Sequence, residues 1–227
     1  MNVKINNKLH TELCKLSYKE YLFGSQLHGI ATLESDFDYV RVISDSFYKR
    51  FNSLAKYYPN IHSFQYDGSN NTQYIWMTES QFYYNLFSGD GNMLADIIIL
   101  SGEWSEKDAL HLTHTYKIIK GYLGVAKRDL KLHGKIEKKR FHSLRSLMMA
   151  EKLINKELPD VGDIQMLKFV TNLPSKDKLL EIETTLRERL NRMLDRGEIT
   201  HYPEFKEEDE LVEIMMNSNN IKEFRYG

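Results

Sequence analysis

Apolar residues recur along this chain at two periods, and the point where the period changes divides it. Leu9, Leu13 and Leu16, spaced by four and three, predict an amphipathic helix over 8–16 that covers one edge of a sheet. Tyr18 to Phe23 is an apolar and aromatic run that suits a buried strand ending at Gly24. In the following SDFDYVRVI, a strand period of two places Asp36 and Asp38 on one face and assigns Phe37, Tyr39 and Val42 to packing. Ser44 to Asn52 predicts a short helix, followed by an irregular Tyr57-Tyr58-Pro59 turn. Ile61–Tyr66 and Gln73–Met77 flank an Asp67-Gly68 turn and predict the third and fourth strands.

From Glu79 the spacing becomes helical. Thr78 and Gln81 form a candidate capping box, Phe82, Leu86 and Phe87 share a face, and Gly89 to Gly91 is a stop. Met93 to Leu100 predicts a second apolar helix, on which Asp96 reads as an exposed polar position. Beyond Gly102 the pattern is wholly helical. One helix is expected over 109–130, bent at Gly121 and Gly124, with Tyr116, Ile119, Leu123 and Ala126 inward. Another is expected over 135–153, then a loop over Pro159–Asp163, then a helix over 176–196 capped by Ser175. Leu211, Ile214 and Met215 suggest a last helix within an acidic segment. The expected fold class is α+β: a small mixed sheet over 1–105, then a helical region over 106–227.

Composition narrows the function classes. With 227 residues and 41% hydrophobic positions the chain can bury a core, and its net charge of −1 argues against bulk electrostatic capture of nucleic acid. Any RNA contact must come from a local basic patch. A single cysteine, Cys14, excludes an internal disulfide and suits a reducing compartment. The longest apolar run, near 97–100, is too short to span a bilayer, so no membrane partner is expected and the localisation read from sequence is cytoplasmic.

The candidate chemistry lies between Gly24 and Val42. Gly24 lets the backbone approach a ligand, Ser25 offers a hydroxyl, and a helical turn over 26–31 would point free N–H groups at an anion. Asp36 and Asp38, about 7 Å apart along a strand, would repel each other unless a cation sat between them. Magnesium takes one or two carboxylates and completes its shell with water and substrate phosphates. A phosphate cradle followed by paired acids therefore points to a magnesium-bound nucleoside triphosphate. The plain alternative is a D-x-D that merely starts a strand from a turn.

The spacing G-S-x10-D-x-D resembles the signature of the DNA polymerase beta superfamily of nucleotidyltransferases. The segments LHGIATLES, FYYNLFSGDGNMLADIIIL and KKRFHSLRSLMMAEKLI are similar to its minimal bacterial and phage members, some of them associated with RNA repair. The resemblance implies a mixed sheet with helices on one side, Gly24 and Ser25 on the nucleotide phosphates, and Asp36 and Asp38 as catalytic ligands of two Mg2+ (or Mn2+) ions. It also implies a third carboxylate on a later strand, but Gln73 stands at that position. Asp67 or Glu79 is the remaining candidate for a third ligand.

Lys138, His142 and Arg145, at i, i+4 and i+7, align three potential cations on one helix face. A similar row in the related branch implies a contact with the nucleotide or an RNA end, against the plain reading of a solvated basic face. The expected function is transfer of a nucleoside monophosphate from a triphosphate to a hydroxyl of RNA, tRNA or a protein side chain. The alternatives are a degenerate nucleotide- or RNA-binding module, suggested by Gln73, and a toxin-type ribonuclease, suggested by the R-x4-H of Arg128 and His133.

Overall fold

The computed structural model describes residues 2–47, 63–69, 71–88, 92–170 and 172–204. The expectations for the helix up to Asn52, the Tyr57-Tyr58-Pro59 turn, the Gly89–Gly91 stop and the acidic last helix fall wholly or largely outside these residues. The chain forms two compact units, one built from 2–26 and 31–85, the other from 27–30 and 86–204. Residues 86–105, expected with the sheet, belong with the helices, as does the short stretch 27–30.

The first unit holds a mixed sheet within an α+β fold. Strands β1 (Asn2–Lys4), β2 (Tyr18–Phe23), β3 (Phe37–Ile43), β4 (Ser63–Asp67) and β5 (Thr72–Thr78) lie in the order β1-β4-β5-β3-β2. β3 pairs parallel with β5 and antiparallel with β2, while β4 pairs antiparallel with β5 and parallel with β1. β2 is therefore an edge strand rather than a fully buried one. Tyr21 is its buried residue, and Lys19 and Glu20 are exposed.

Helix α1 (Asn7–Leu13) is capped by Asn6, whose side chain accepts from Leu9 N, and it stops three residues short of the expected end. Leu13 and Leu16 pack with Ile43, Phe64 and Trp76 to form the core on that face of the sheet. Arg41 interrupts the apolar run of β3 and is buried. Its guanidinium bonds Glu20 at 2.6 Å and lies 4.2 Å from the ring centre of Tyr74, so ion pair and cation–π contact together offset its desolvation.

At the far end of β5 the capping box forms as expected. Thr78 N donates to Gln81 Oε1 at 2.9 Å, Gln81 N donates to Thr78 Oγ1 at 3.3 Å, and helix α3 (Glu79–Phe87) follows.

The second unit contains α4 (Asn92–Leu100), α5 (Glu106–Thr113), α6 (Tyr116–His133), α7 (Glu137–Ile154), α8 (Val161–Met166) and α9 (Lys176–Asp195). The helix expected over 109–130 is two helices. Thr115 takes an extended backbone and its side chain accepts from Ile118 N, which starts α6 anew, while Gly121 and Gly124 lie inside an unbroken helix. The loop expected over 159–163 becomes a helix start, because Asp160 and Asp163 cap each other's backbone N–H reciprocally. Ser175 caps α9 as its spacing predicts, and Leu179, Leu186, Leu190 and Met193 are buried. On α7 the expected packing residues Phe141, Leu144 and Met148 are only half-buried. Leu147, Met149, Ala150 and Leu153 take the core with Ser143, whose hydroxyl bonds the Lys139 carbonyl at 2.8 Å.

The cap, not the glycines, sets the break before α6. Thr115→Ala is expected to lower the unfolding free energy by about 1 kcal/mol. A Cβ on Gly124 would meet nothing within 4 Å, so Gly124→Ala should raise stability by roughly 0.5–1 kcal/mol. Urea unfolding of the two variants checks both signs.

Candidate functional site

Strand register brings the candidate residues together. In β3, Asp38 stands opposite Phe23 of β2 and opposite Gln73 of β5, and Gln73 in turn stands opposite Asp67 of β4. Residues paired across strands share a face, so Phe23, Asp38, Gln73 and Asp67 form one row. β2 ends at Phe23, and Gly24 then takes φ +68 and opens the short helix α2 (Gly24–Leu27). A Cβ on Gly24 would stand 2.8 Å from Asp38 Oδ2. Both the left-handed backbone and the nearby carboxylate therefore require glycine there.

The Asp38 carboxylate thus lies against the turn that carries Ser25. Asp36 precedes β3 and is exposed, whereas Asp38 is half-buried. Burial, and then the like charge of Asp36, push the Asp38 carboxyl above its usual range. Such a site gains from a bound cation. Two hard oxygen donors of like charge, one beside a space too small for a side chain, fit Mg2+ or Mn2+, which would draw its other ligands from water and substrate phosphates.

The candidates for a third ligand lie elsewhere. Asp67 accepts from Lys4 Nζ at 2.7 Å and from Gln65 Nε2 at 3.1 Å, and these bonds hold its carboxyl below the usual range. It is two strands from Asp38, about 10 Å, too far to share an ion whose bonds are about 2.1 Å. Glu79 follows the last residue of β5, about 20 Å along the strand from Gln73. Among the described residues no three His, Cys, Asp or Glu side chains converge as metal ligands. Gln73 stands opposite Asp38 in the register, and its amide nitrogen lies 3.5 Å from Asp67 Oδ1.

The basic row on α7 separates into three different environments. Lys138 is exposed. Burial, then the charges of Arg145, Lys139 and Lys138, push the half-buried His142 imidazole down to about 4, so it carries no charge at neutral pH. The Arg145 guanidinium is held by His28, its Nη1 bonding Nδ1 and lying 3.0 Å from Nε2 of that ring. Only Lys138 remains a freely solvated cation of the three expected.

His28 and Asp96 are the residues that sequence reasoning missed. His28 is 2% exposed, and its Nε2 lies 2.9 Å from Oδ2 of Asp96, whose other oxygen accepts from Tyr122 Oη. With Nε2–H donating to the carboxylate, Nδ1 is left to accept from Arg145. Asp96 is therefore buried rather than exposed. Burial alone would raise its carboxyl, but the bond from His28, the charge of Arg145 and the bond from Tyr122 together hold it below the usual range.

Gly29, at φ +64, follows directly, and its carbonyl accepts from Gln165 Nε2 at 3.3 Å. The stretch 27–30 is thereby tied to three helices of its unit. An acid in the apolar run LADIIIL was the available signal, because a buried carboxylate needs partners. Nothing in the sequence singles out His28 as that partner. Arg128 and His133, the residues of the R-x4-H motif, are both exposed on α6 and turned about 140° from each other.

Two outcomes follow. Because the folded pKa of Asp38 is raised, its ionised form opposes folding above that pKa, and the penalty vanishes below the ordinary value of 3.8. In metal-free buffer at pH 7, Asp38→Asn should melt above the wild type, with the gap closing as pH falls toward 4. Asp96→Ala removes the anion from a buried charged network and should cost about 3–5 kcal/mol in urea unfolding.

Searches of protein-family models and of curated proteins found no match to this chain.

Proposed function

We propose that this chain is a nucleotidyltransferase that moves a nucleoside monophosphate from a nucleoside triphosphate to a hydroxyl acceptor on RNA, tRNA or a protein side chain. The observation that carries this reading is the Asp38 carboxylate lying against the Gly24–Ser25 turn, its pKa raised by burial and then by the charge of Asp36. In this reading, Asp36 and Asp38 hold Mg2+ or Mn2+, and the Gly24 amide and Ser25 hydroxyl grip the phosphates. Two such ions would divide the work, one lowering the pKa of the attacking hydroxyl and the other offsetting the charge of the leaving pyrophosphate. The acceptor oxygen forms a bond to the α-phosphorus as the α–β phosphoanhydride bond breaks, pyrophosphate leaves, and the hydroxyl proton passes to solvent. The likeness to the DNA polymerase beta superfamily noted for Gly24, Ser25, Asp36 and Asp38 supports this chemistry.

Gln73 favours a second reading. A neutral residue opposite Asp38, with Asp67 paired to Lys4, suits a module that binds a nucleotide with a single ion and does not turn it over.

Incubation with labelled ATP or CTP, Mg2+ and a mixed tRNA pool separates the readings. Label is expected on the RNA or on the protein, and Asp36→Ala or Asp38→Ala should reduce transfer at least a thousandfold. Transfer that survives both substitutions would sink the assignment of the acids. Saturable nucleotide binding without transfer by the wild type would favour the module.

A further inference from the structure

The helical unit carries a second site that the acid pair does not explain. A cavity of about 450 Å³ opens where the C-terminal ends of α7 and α9 meet. Four cations line it, Lys156 from the end of α7 and Arg189, Arg192 and Arg196 from α9, against one carboxylate, Glu198. Glu198 is occupied by Arg196, at 3.6 Å. Among the described residues no carboxylate pairs with Lys156, Arg189 or Arg192. In a chain of net charge −1, three cations without partners facing one cavity is a concentrated positive field.

Two features set this cluster apart from ordinary helix ends. Cations in the last turn of a helix answer its dipole, which accounts for Arg192 and Arg196. Arg189 is nearly two turns from the end of α9, where that dipole effect has faded, yet it faces the same cavity.

Lys156 is the second feature. Its φ is +61, and Glu157 N bonds Lys152 O at 2.9 Å, the hydrogen bond of a left-handed helix cap in which glycine is the favoured residue. A lysine is kept there at a steric cost, and strain of this kind tends to persist at binding sites.

Arg189, Arg192 and Arg196 spread over about 10 Å of helix, longer than a single phosphate group. Such a row matches consecutive phosphates, and guanidinium forks pair well with phosphate oxygens. We infer that this cleft binds the sugar–phosphate backbone of a single-stranded RNA, which assigns the acceptor of the proposed transfer to the nucleic-acid class. That second clause rests on the transferase reading; the binding itself does not.

The test uses the full chain and a 5′-fluorescein 12-mer oligouridylate, titrated by anisotropy at 50–200 mM salt. Arg189→Ala/Arg192→Ala should weaken binding about tenfold or more and flatten the slope of log K against log salt by about 1.4, as loss of two phosphate contacts on a single strand requires. Lys168→Ala, which removes an exposed cation outside the cleft, should leave both unchanged.

Lys156→Gly should weaken RNA binding without lowering Tm, a combination that loss of folding cannot produce. Binding is read without nucleoside triphosphate or Mg2+, so a failed transfer reaction and a failed RNA site give different results. Undiminished binding by the double variant would overturn the proposal. So would a wild type that ignores the RNA while binding inorganic tripolyphosphate.

Discussion

The parallel pairing of β3 with β5 is the constraint on which the acidic site depends. It runs through seven residue pairs, from Phe37 opposite Thr72 to Ile43 opposite Thr78. Along it Val40 and Val42 pair with Ile75 and Met77 on one face, while Arg41 and Ile43 pair with Trp76 and Thr78 on the other. All eight are buried, so a slip of one residue would carry Arg41 and Trp76 into the wrong layer and lose the Arg41–Glu20 pair. The same register brings Gln73 beside Asp38, and the antiparallel β2 ends there, so that Gly24 arrives against the Asp38 carboxylate. Apolar packing at one end of the strands thus sets the distances between polar groups at the other.

Electrostatic demands are met differently in the two units. In the sheet unit Asp38 is left with a raised pKa and a like charge nearby, a state that binding of a cation would relieve. In the helical unit Asp96 has its oxygens matched by His28 and Tyr122, with Arg145 beyond the imidazole. A carboxylate 5% exposed is tolerable only with such partners. Glu183, fully buried on α9, likewise meets Arg187 at 2.6 Å and Lys127 at 3.5 Å. Among the described residues no cation pairs with Asp38, whereas Asp96 and Glu183 have basic side chains against them. That difference, more than residue type, is why the proposed chemistry is assigned to the acid pair.

Much of the architecture was legible from periodicity and turn chemistry. The limits of β2, the strands on either side of Gly68, the Thr78–Gln81 box and the Ser175 cap follow from local rules, because each depends on residues within four positions of one another. The break at Thr115 was missed because glycine is a conspicuous breaker, whereas a threonine cap inside a continuous apolar stripe is not. The Asp160–Asp163 box escaped because Pro159 and Gly162 read as loop residues.

From the sequence alone came the α+β class and the G-S…D-x-D spacing, together with the expectation that Asp36 and Asp38 would face the serine turn. The first two rest on short-range patterns, while the third is met at Asp38 because strand register brings Gly24 against it. Only the tertiary structure decided which acid is buried with partners and which is left in need of one, because that depends on side chains far apart in the chain. Asp96 meets His28 across 68 residues and His28 meets Arg145 across 117, and no local pattern encodes such contacts. The environment of Gln73 is of the same kind. Its neighbours Asp38 and Asp67 come from two other strands, and packing of the sheet, not the spacing of the motif, brings them to its sides.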